Sequence, residues 1–149
     1  MRVMAMERKR RVNGEVKVIS FDEMWTYVKS RRKGKRRSCW IWTAAVEEAD
    51  GSIWRDYEVG RRDEQTFLRL YERLPDAKKY RSDDYNVYKW LPSDRHMVGK
   101  GSEVNRNEGL HSVLRGKLNR LVRKTKGYSE NEVMLSGSLA LIWVRQGWI

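Results

Sequence analysis

The sequence predicts an α/β domain in which a mixed sheet of about five strands is flanked by helices. Up to residue 60, segments rich in β-branched and aromatic residues alternate with turn signals, as in an antiparallel meander. Beyond residue 60, segments with helical periodicity dominate. The 149 residues include only two prolines and no Gly/Ser-rich tract, which fits one domain without a linker. We therefore expect a basic N-terminal extension over residues 1–15 and a single domain over residues 16–149.

The first half of the chain is predicted to form three strands joined by two hairpins. The strands are expected at Val16–Val28, Cys39–Val46 and Ile53–Val59, where apolar side chains are dense or alternate. The basic run Lys29–Arg37 is expected to form the first hairpin loop, and Asp50-Gly51 is a strong signal for the second turn. These strands would make a three-stranded antiparallel meander.

The second half is predicted to add helices and two weaker strands. The expected elements are, in order, an amphipathic helix at Asp63–Leu74, a strand at Lys79–Ser82, a short helix at Asp84–Leu91, a strand at His96–Gly99, a leucine-lined helix from Glu108, and a last helix from Ser129 to about Gln146. With the two weaker strands parallel to the first, this order is that of the RNase H-like fold.

The charge of the chain points to a polyanionic partner. Lys and Arg number 32 against 20 Asp and Glu, which gives a net charge of +12 and a pI near 10.0. Such a surplus in a small domain favours nucleic acid, and strong but salt-sensitive binding follows from counterion release. The basic residues are grouped in a run at residues 8–11, in the hairpin loop (Lys29, Arg31, Arg32, Lys33, Lys35, Arg36 and Arg37), and along the leucine-lined helix (Arg115, Lys117, Arg120, Arg123, Lys124 and Lys126).

Other functional classes are disfavoured. Cys39 is the only cysteine, so an internal disulfide and a CxxC zinc site are excluded. Residues 1–11 have charge but no apolar core of a signal peptide, and Val133–Val144 is too short to span a bilayer. We therefore expect a cytoplasmic protein, associated with the nucleoid, that has no membrane partner.

Three acids occupy positions suited to a shared metal site. Asp22 closes the apolar run of the first strand, Asp83 follows the fourth strand, and Glu108 opens the leucine-lined helix. On a helical wheel His111, Ser112, Arg115 and Asn119 lie near Glu108, opposite the leucines, so this polar ridge could line the sheet edge where the two aspartates end. Asp84 is the alternative to Asp83, and Glu103 is the alternative to Glu108.

The blocks around these acids resemble a known family. The first block is Asp22-Glu23-Met24-Trp25-Thr26-Tyr27-Val28, the second is Ser82-Asp83-Asp84-Tyr85, and the third is Glu108 with Arg115 seven places later. Together they are similar to the catalytic domain of the transposase of insertion sequence one, over roughly residues 17–147. The first block and the spacing from Glu108 to Arg115 carry most of the specificity.

The resemblance implies a DDE recombinase with the RNase H-like fold. Asp22, Asp83 and Glu108 would bind two Mg²⁺ or Mn²⁺ ions, and Arg115 would contact DNA near the scissile phosphate. The implied reaction nicks double-stranded DNA at element ends and joins the freed 3′ hydroxyl to target DNA. Arg115, Asn119, the hairpin-loop cations and the helix cations Arg120, Arg123 and Lys124 are the expected DNA-binding residues, and a homo-oligomer is expected because two ends must be joined.

One feature departs from the family pattern. Family members carry an N-terminal zinc-finger and helix-turn-helix segment that reads the element ends, whereas about sixteen residues precede the first strand here. We therefore expect either that this chain is the catalytic reading frame alone, with end recognition supplied by the product of an upstream frame, or that it is a truncated or repurposed relic. Two other functions remain open: a nuclease or resolvase that uses the same acids without strand transfer, and a non-catalytic basic DNA-binding protein. Trp25, Tyr27, Tyr85 and Tyr88 are candidate aromatic contacts to DNA.

Overall fold

The computed structural model describes residues 15–29, 36–99, 110–117 and 132–147. Across these residues the elements are, in order, β1 (Val16–Lys29), β2 (Arg36–Glu48), β3 (Ile53–Gly60), α1 (Glu64–Tyr71), β4 (Ala77–Ser82), a 3₁₀ helix (Asn86–Trp90), β5 (His96–Val98), α2 (residues 110–117) and α3 (Glu132–Arg145).

The strands form one mixed sheet with the order β3-β2-β1-β4-β5. Strands β1, β2 and β3 pair antiparallel, whereas β4 pairs parallel with β1, and β5 pairs parallel with β4. This arrangement confirms the predicted meander with two added parallel strands, and it is the RNase H-like α/β architecture. Because β1 lies in the middle of the sheet, an acid on β1 has a neighbouring strand on both sides.

Several predicted boundaries are wrong by a few residues. Strand pairing continues to Lys29 on β1 and begins at Arg36 on β2, so both ends of the predicted hairpin loop belong to the ladder. Strand β4 begins earlier, at Ala77. The segment predicted as a short helix at Asp84–Leu91 is a 3₁₀ helix over Asn86–Trp90, which Pro92 follows closely. Polar residues can extend a strand when its partner strand supplies the hydrogen bonds, and sequence patterning does not register this.

Each face of the sheet has its own core. Successive residues of a strand point to opposite faces, so Phe21 and Met24 lie on different sides of β1. On the first face, Phe21 packs with buried residues that include Trp42, Phe67, Tyr80 and Tyr88. On the second face, the buried cluster contains Met24, Cys39, Ile41, Tyr57, Val59, Leu110, Leu114, Leu135, Leu139, Ile142 and Trp143. Helix α1 therefore covers the first face, and α2 with α3 covers the second.

The connection from β3 to α1 is tightly built. The Asp63 carboxylate accepts a hydrogen bond from the Thr66 backbone N–H at 3.0 Å and so caps α1. The helix itself begins at Glu64, one residue after the predicted start. Gly60 ends β3, and a Cβ atom there would lie 2.7 Å from Thr66 Oγ1. A side chain at residue 60 would therefore push β3 and α1 apart. Arg61 and Arg62 follow Gly60 directly, so they lie in the connection between β3 and α1.

Candidate active site

Asp22 and Asp83 lie side by side because of the parallel pairing of β1 with β4. The register pairs Val18 with Lys79 and Ser20 with Arg81. Two residues further along each chain, the same register brings Asp22 level with Asp83, which directly follows the last residue of β4. The predicted meeting of these two acids at one place in the sheet is therefore what the structure has.

A third carboxylate, which was not among the predicted ligands, joins the two aspartates. Asp22, Glu23 and Asp83 each offer one carboxylate oxygen, and these three atoms lie within 4.8 Å of one another. Two oxygens on opposite sides of one Mg²⁺ are about 4.2 Å apart, so this spacing is close to that of a metal site. Hard oxygen ligands of this kind suit Mg²⁺ or Mn²⁺.

Glu23 differs from the two aspartates because both of its oxygens are already engaged. Oε1 accepts hydrogen bonds from Arg62 Nε at 3.2 Å and Nη2 at 2.8 Å, and Oε2 accepts one from the Tyr88 hydroxyl at 2.5 Å. The Glu23 side chain is only 3% exposed. The bond to Glu23 raises the pKa of Arg62. Burial, with the nearby Glu23 carboxylate, raises the pKa of Tyr88 well above its ordinary value. Glu23 is thus a paired, buried anion next to the two aspartates.

Asp83 is held in a tight turn at the end of β4. Its Oδ1 atom accepts a hydrogen bond from the Tyr85 backbone N–H at 2.9 Å. The preceding residue, Ser82, donates from its hydroxyl to the Asp83 carbonyl at 2.9 Å, and Ser82 Oγ lies 2.6 Å from His96 Nε2. These contacts connect β5 to the turn that carries the second acid. Asp84, the alternative candidate, is exposed and does not belong to the cluster of carboxylates formed by Asp22, Glu23 and Asp83.

His111, which the sequence places on the polar ridge with Glu108, contacts the first acid. Its Nδ1 atom lies 3.6 Å from Asp22 Oδ2, and its Nε2 atom lies 3.0 Å from Thr43 Oγ1. Thr43 pairs with Asp22 across β1 and β2 and donates to the Asp22 carbonyl at 3.2 Å. One member of the predicted polar ridge therefore reaches Asp22, and this residue is buried beside Leu110 and Leu114.

The buried imidazole of His111 is neutral at pH 7. Burial, with a smaller contribution from the positive charge of Arg115, lowers the pKa of His111 to about 4. The contact with Asp22 is therefore that of a neutral ring, at a distance longer than a hydrogen bond. The sequence did indicate that His111 could lie near the site, because it follows Glu108 by three residues, about one helical turn. Its contact with Thr43 could not be predicted, because the two residues are 68 positions apart.

The remaining predicted site residues fall into two groups. Arg115 is exposed on α2, and Lys29, Arg36 and Arg37 lie at the paired ends of β1 and β2. Outside the described residues are Glu108, its alternative Glu103, Arg31, Arg32, Lys33, Lys35, Asn119, Arg120, Arg123 and Lys124. The metal-binding role of the three acids and the DNA-binding role of every residue in these two groups therefore remain predictions.

The aromatic residues near the acids have different environments. Trp25 is 52% exposed on β1 and lies against Tyr27, with ring centroids 5.9 Å apart. Tyr88 is fully buried in the first core, so its predicted contact with DNA is wrong. Tyr85 is half-buried, and the guanidinium of Arg62 lies over its ring. An aromatic side chain close to the acids in sequence is therefore as readily part of the core as of a binding surface.

The sheet order and the two aligned aspartates define an α/β domain of the RNase H-like class. A family model described as IS1 transposase matches residues 16–139, and the chain belongs to that family. None of the curated proteins matches the chain. Family membership confirms the resemblance to the transposase of insertion sequence one and makes this a DNA-processing protein. Among the described helices, none has the length and apolar character needed to cross a membrane.

Proposed function

We propose that this chain cleaves DNA strands at the ends of an insertion sequence and joins the freed 3′ hydroxyl to target DNA in a metal-dependent reaction. The observation that supports this most directly is the approach of Asp22 and Asp83 from parallel strands in a domain of the transposase family. Asp22, Asp83 and Glu108 are the proposed ligands, with Glu108 contributed by the chain just before α2.

The residues of the chain fit hard divalent cations. Asp22 is half-buried and Asp83 is exposed, and each contributes one oxygen to the cluster of carboxylates that they form with Glu23. Glu23 is neutralised by Arg62, so the charge offered to a cation comes from the two aspartates together with Glu108. Two Mg²⁺ or Mn²⁺ ions supply, when bound, an activated hydroxyl nucleophile and charge relief on the leaving oxygen. His111 and Thr43 hold the Asp22 segment, and the Tyr85 backbone orients Asp83.

The proposed DNA path follows basic residues of α2 and of the β1–β2 hairpin. Arg115 is exposed on α2, and its charge acts on the pKa of His111, which contacts Asp22. Lys29 lies seven residues beyond Asp22 on β1, about 23 Å at the rise of a strand. The end of the β1–β2 hairpin could therefore contact duplex DNA well away from the scissile phosphate. We include in this surface Asn119 and the cations Arg31, Arg32, Lys33, Lys35, Arg36, Arg37, Arg120, Arg123 and Lys124.

The proposed partners follow from the chemistry of transposition. The substrate is double-stranded DNA, as element ends and as target. Joining two ends favours a homo-oligomer assembled on DNA. We also propose that an upstream-frame product with a zinc finger and helix-turn-helix supplies recognition of the element ends, and that the protein acts in the cytoplasm at the nucleoid.

A strand-transfer assay tests the proposal. Labelled duplexes with exposed 3′ hydroxyl ends are incubated with the full chain and plasmid DNA in Mg²⁺, in Mn²⁺ or in EDTA. We expect joined products with either metal, none in EDTA and none with Asp22→Asn. Asp84→Asn is the matched control and should join ends as the wild-type chain does.

The other outcomes identify the alternative functions. Metal-dependent cutting without joining would indicate a nuclease or resolvase that uses the same acids. Binding of DNA without either reaction, unchanged by Asp22→Asn, would indicate a non-catalytic DNA-binding protein.

A further inference from the structure

Arg62 connects the two segments that carry Asp22 and Asp83. It lies just after β3, and its guanidinium donates from Nε and Nη2 to Glu23 Oε1 at 3.2 and 2.8 Å. Glu23 is the residue next to Asp22 on β1. A shift of Arg62 would therefore move the buried carboxylate of Glu23, and Glu23 is the neighbour of Asp22 in the chain.

The same guanidinium is stacked against the turn that carries Asp83. It lies 4.0 Å from the centre of the Tyr85 ring and 4.8 Å from that of Trp40, within the range of cation–π attraction. The Tyr85 hydroxyl donates to the Arg62 carbonyl at 3.0 Å, while the Tyr85 backbone N–H donates to Asp83 Oδ1 at 2.9 Å. Tyr85 is thus joined to Arg62 at its ring and to Asp83 at its backbone.

Surrounding contacts keep this assembly in one place. The indole N–H of buried Trp42 donates to the Arg61 carbonyl at 2.9 Å, which fixes the backbone beside Arg62. The Tyr88 hydroxyl holds the second Glu23 oxygen at 2.5 Å. The Arg62 side chain is 40% exposed, whereas the Glu23 side chain is 3% exposed. Of the two charges in this ion pair, the buried one is therefore the Glu23 carboxylate.

We propose that Arg62 is a positioning residue that sets the spacing between the Asp22 and Asp83 carboxylates. This inference rests on the proposed function, in which those two carboxylates bind divalent metal. Carboxylates gathered within 4.8 Å repel one another, and a planar, permanently charged guanidinium that joins both segments opposes that repulsion. Lysine cannot replace it, because an ammonium neither stacks on two rings nor makes the forked contact.

The sign of the effect on metal affinity distinguishes positioning from simple charge. Removing a positive charge near a cation site should tighten metal binding if Arg62 acts only through its charge. Loss of an outer residue that orients ligands weakens metal binding, by about 10- to 100-fold in known sites. We therefore expect Arg62→Gln and Arg62→Lys both to raise the Kd for Mn²⁺ by about tenfold or more. Arg69→Gln is the matched control, because Arg69 lies on α1 and pairs with Glu58.

The experiment has one arm with metal and one without. The Kd of the full chain for Mn²⁺ is measured by paramagnetic resonance, and circular dichroism confirms that each variant is folded. In metal-free protein, hydrogen exchange of the Tyr85 amide is followed by nuclear magnetic resonance. We expect faster exchange at Tyr85 in both Arg62 variants and wild-type exchange in Arg69→Gln, because the turn that holds Asp83 loses its support.

Each outcome separates this inference from the proposed function. Unchanged or tighter Mn²⁺ binding by Arg62→Gln, or unchanged exchange at Tyr85, would overturn the positioning role. A wild-type chain that does not bind Mn²⁺ saturably would remove the proposed function, while the exchange arm would still decide whether Arg62 holds the Asp83 turn. Weakened DNA binding with normal Mn²⁺ affinity would assign Arg62 to a DNA contact instead.

Discussion

The imidazole of His111 lies 3.6 Å from the carboxylate of Asp22, with its other nitrogen 3.0 Å from Thr43 Oγ1. This contact joins α2 to the pair of strands on which the first acid lies. Glu108, the proposed third ligand, precedes His111 by three residues in the sequence. The placement of α2 on the sheet is therefore fixed by a polar contact at the site itself as well as by Leu110 and Leu114 in the core.

The low pKa of His111 predicts a pH-dependent stability. Its pKa falls from 6.5 to about 4 on folding, so between these values the unfolded chain binds a proton that the folded chain does not. The contribution to stability is therefore complete above pH 6.5 and declines as the pH falls toward 4, by on the order of 3 kcal/mol in all. His111→Gln should lack this decline.

Urea denaturation in EDTA at several pH values between 7 and 4 measures this effect as the difference between wild type and His111→Gln. Other titrating groups cancel in that difference. Parallel curves for the two proteins across this range would contradict a depressed pKa.

Asp83→Asn should remove DNA cleavage while leaving non-specific DNA affinity unchanged or slightly higher. The substitution removes a proposed metal ligand and one negative charge from a basic protein. Cleavage is followed on labelled duplex and affinity by fluorescence anisotropy. Asp84→Asn is the control, since it removes the same charge from an acid that does not belong to the cluster of Asp22, Glu23 and Asp83. Equal loss of binding and cleavage in Asp83→Asn would argue against a metal role.

Arg115→Ala should weaken DNA binding and reduce its salt dependence. Loss of one phosphate contact lowers the slope of log K against log salt by about 0.9 for duplex DNA. The slope is obtained from anisotropy titrations at several NaCl concentrations. Arg69→Ala, on α1 at the opposite face of the sheet, should leave the slope as it is in the wild type. An unchanged slope for Arg115→Ala would exclude the proposed contact.

Phe67→Ala should destabilise the protein by about 3 to 5 kcal/mol. Phe67 is fully buried on α1 and packs edge-on against Phe21, with ring centroids 5.3 Å apart, so truncation leaves a cavity over the centre of the sheet. Trp90→Ala removes a larger ring that is half exposed, and a much smaller change is expected. Urea denaturation gives both free energies. Similar losses for the two variants would mean that α1 does not cover the sheet as described.

Arg73→Ala should cost about 3 kcal/mol of stability. The Arg73 guanidinium pairs with Asp56 and Glu58 of β3 and donates to the Tyr57 carbonyl at 2.6 Å, and Asp56 is buried. The substitution removes the positive charge that Arg73 places beside the buried Asp56 carboxylate. Lys78→Ala breaks the exposed pair with Glu15 and should be nearly neutral. Thermal unfolding at low and at high salt gives the loss of stability for both variants. A loss for Arg73→Ala that is as small as the loss for Lys78→Ala, and that disappears at high salt, would contradict burial of the Arg73 ion pairs.

Much of the fold was determined by local patterns in the sequence. Alternating apolar residues and the Asp50-Gly51 turn predict the meander, and the turn is present with a positive φ at Gly51. The sequence also placed Asp22 after an apolar run and Asp83 after a short strand, although Asp22 lies within β1 and not at its end, because β1 continues to Lys29 in its pairing with β2. Strand ends and the 3₁₀ helix were less predictable, since pairing with a partner strand extends or shortens an element whatever its own composition.

The partners of the acids were decided by the tertiary structure. The contacts of Glu23 with Arg62 and Tyr88 join residues 39 and 65 positions apart, and the contact of His111 with Thr43 spans 68 positions. The sequence determined which residues could carry charge in the middle of β1, but not which of them would be neutralised. That depends on where β3 ends and where α2 packs, because only those placements bring a guanidinium to Glu23 and leave Asp22 and Asp83 to face each other.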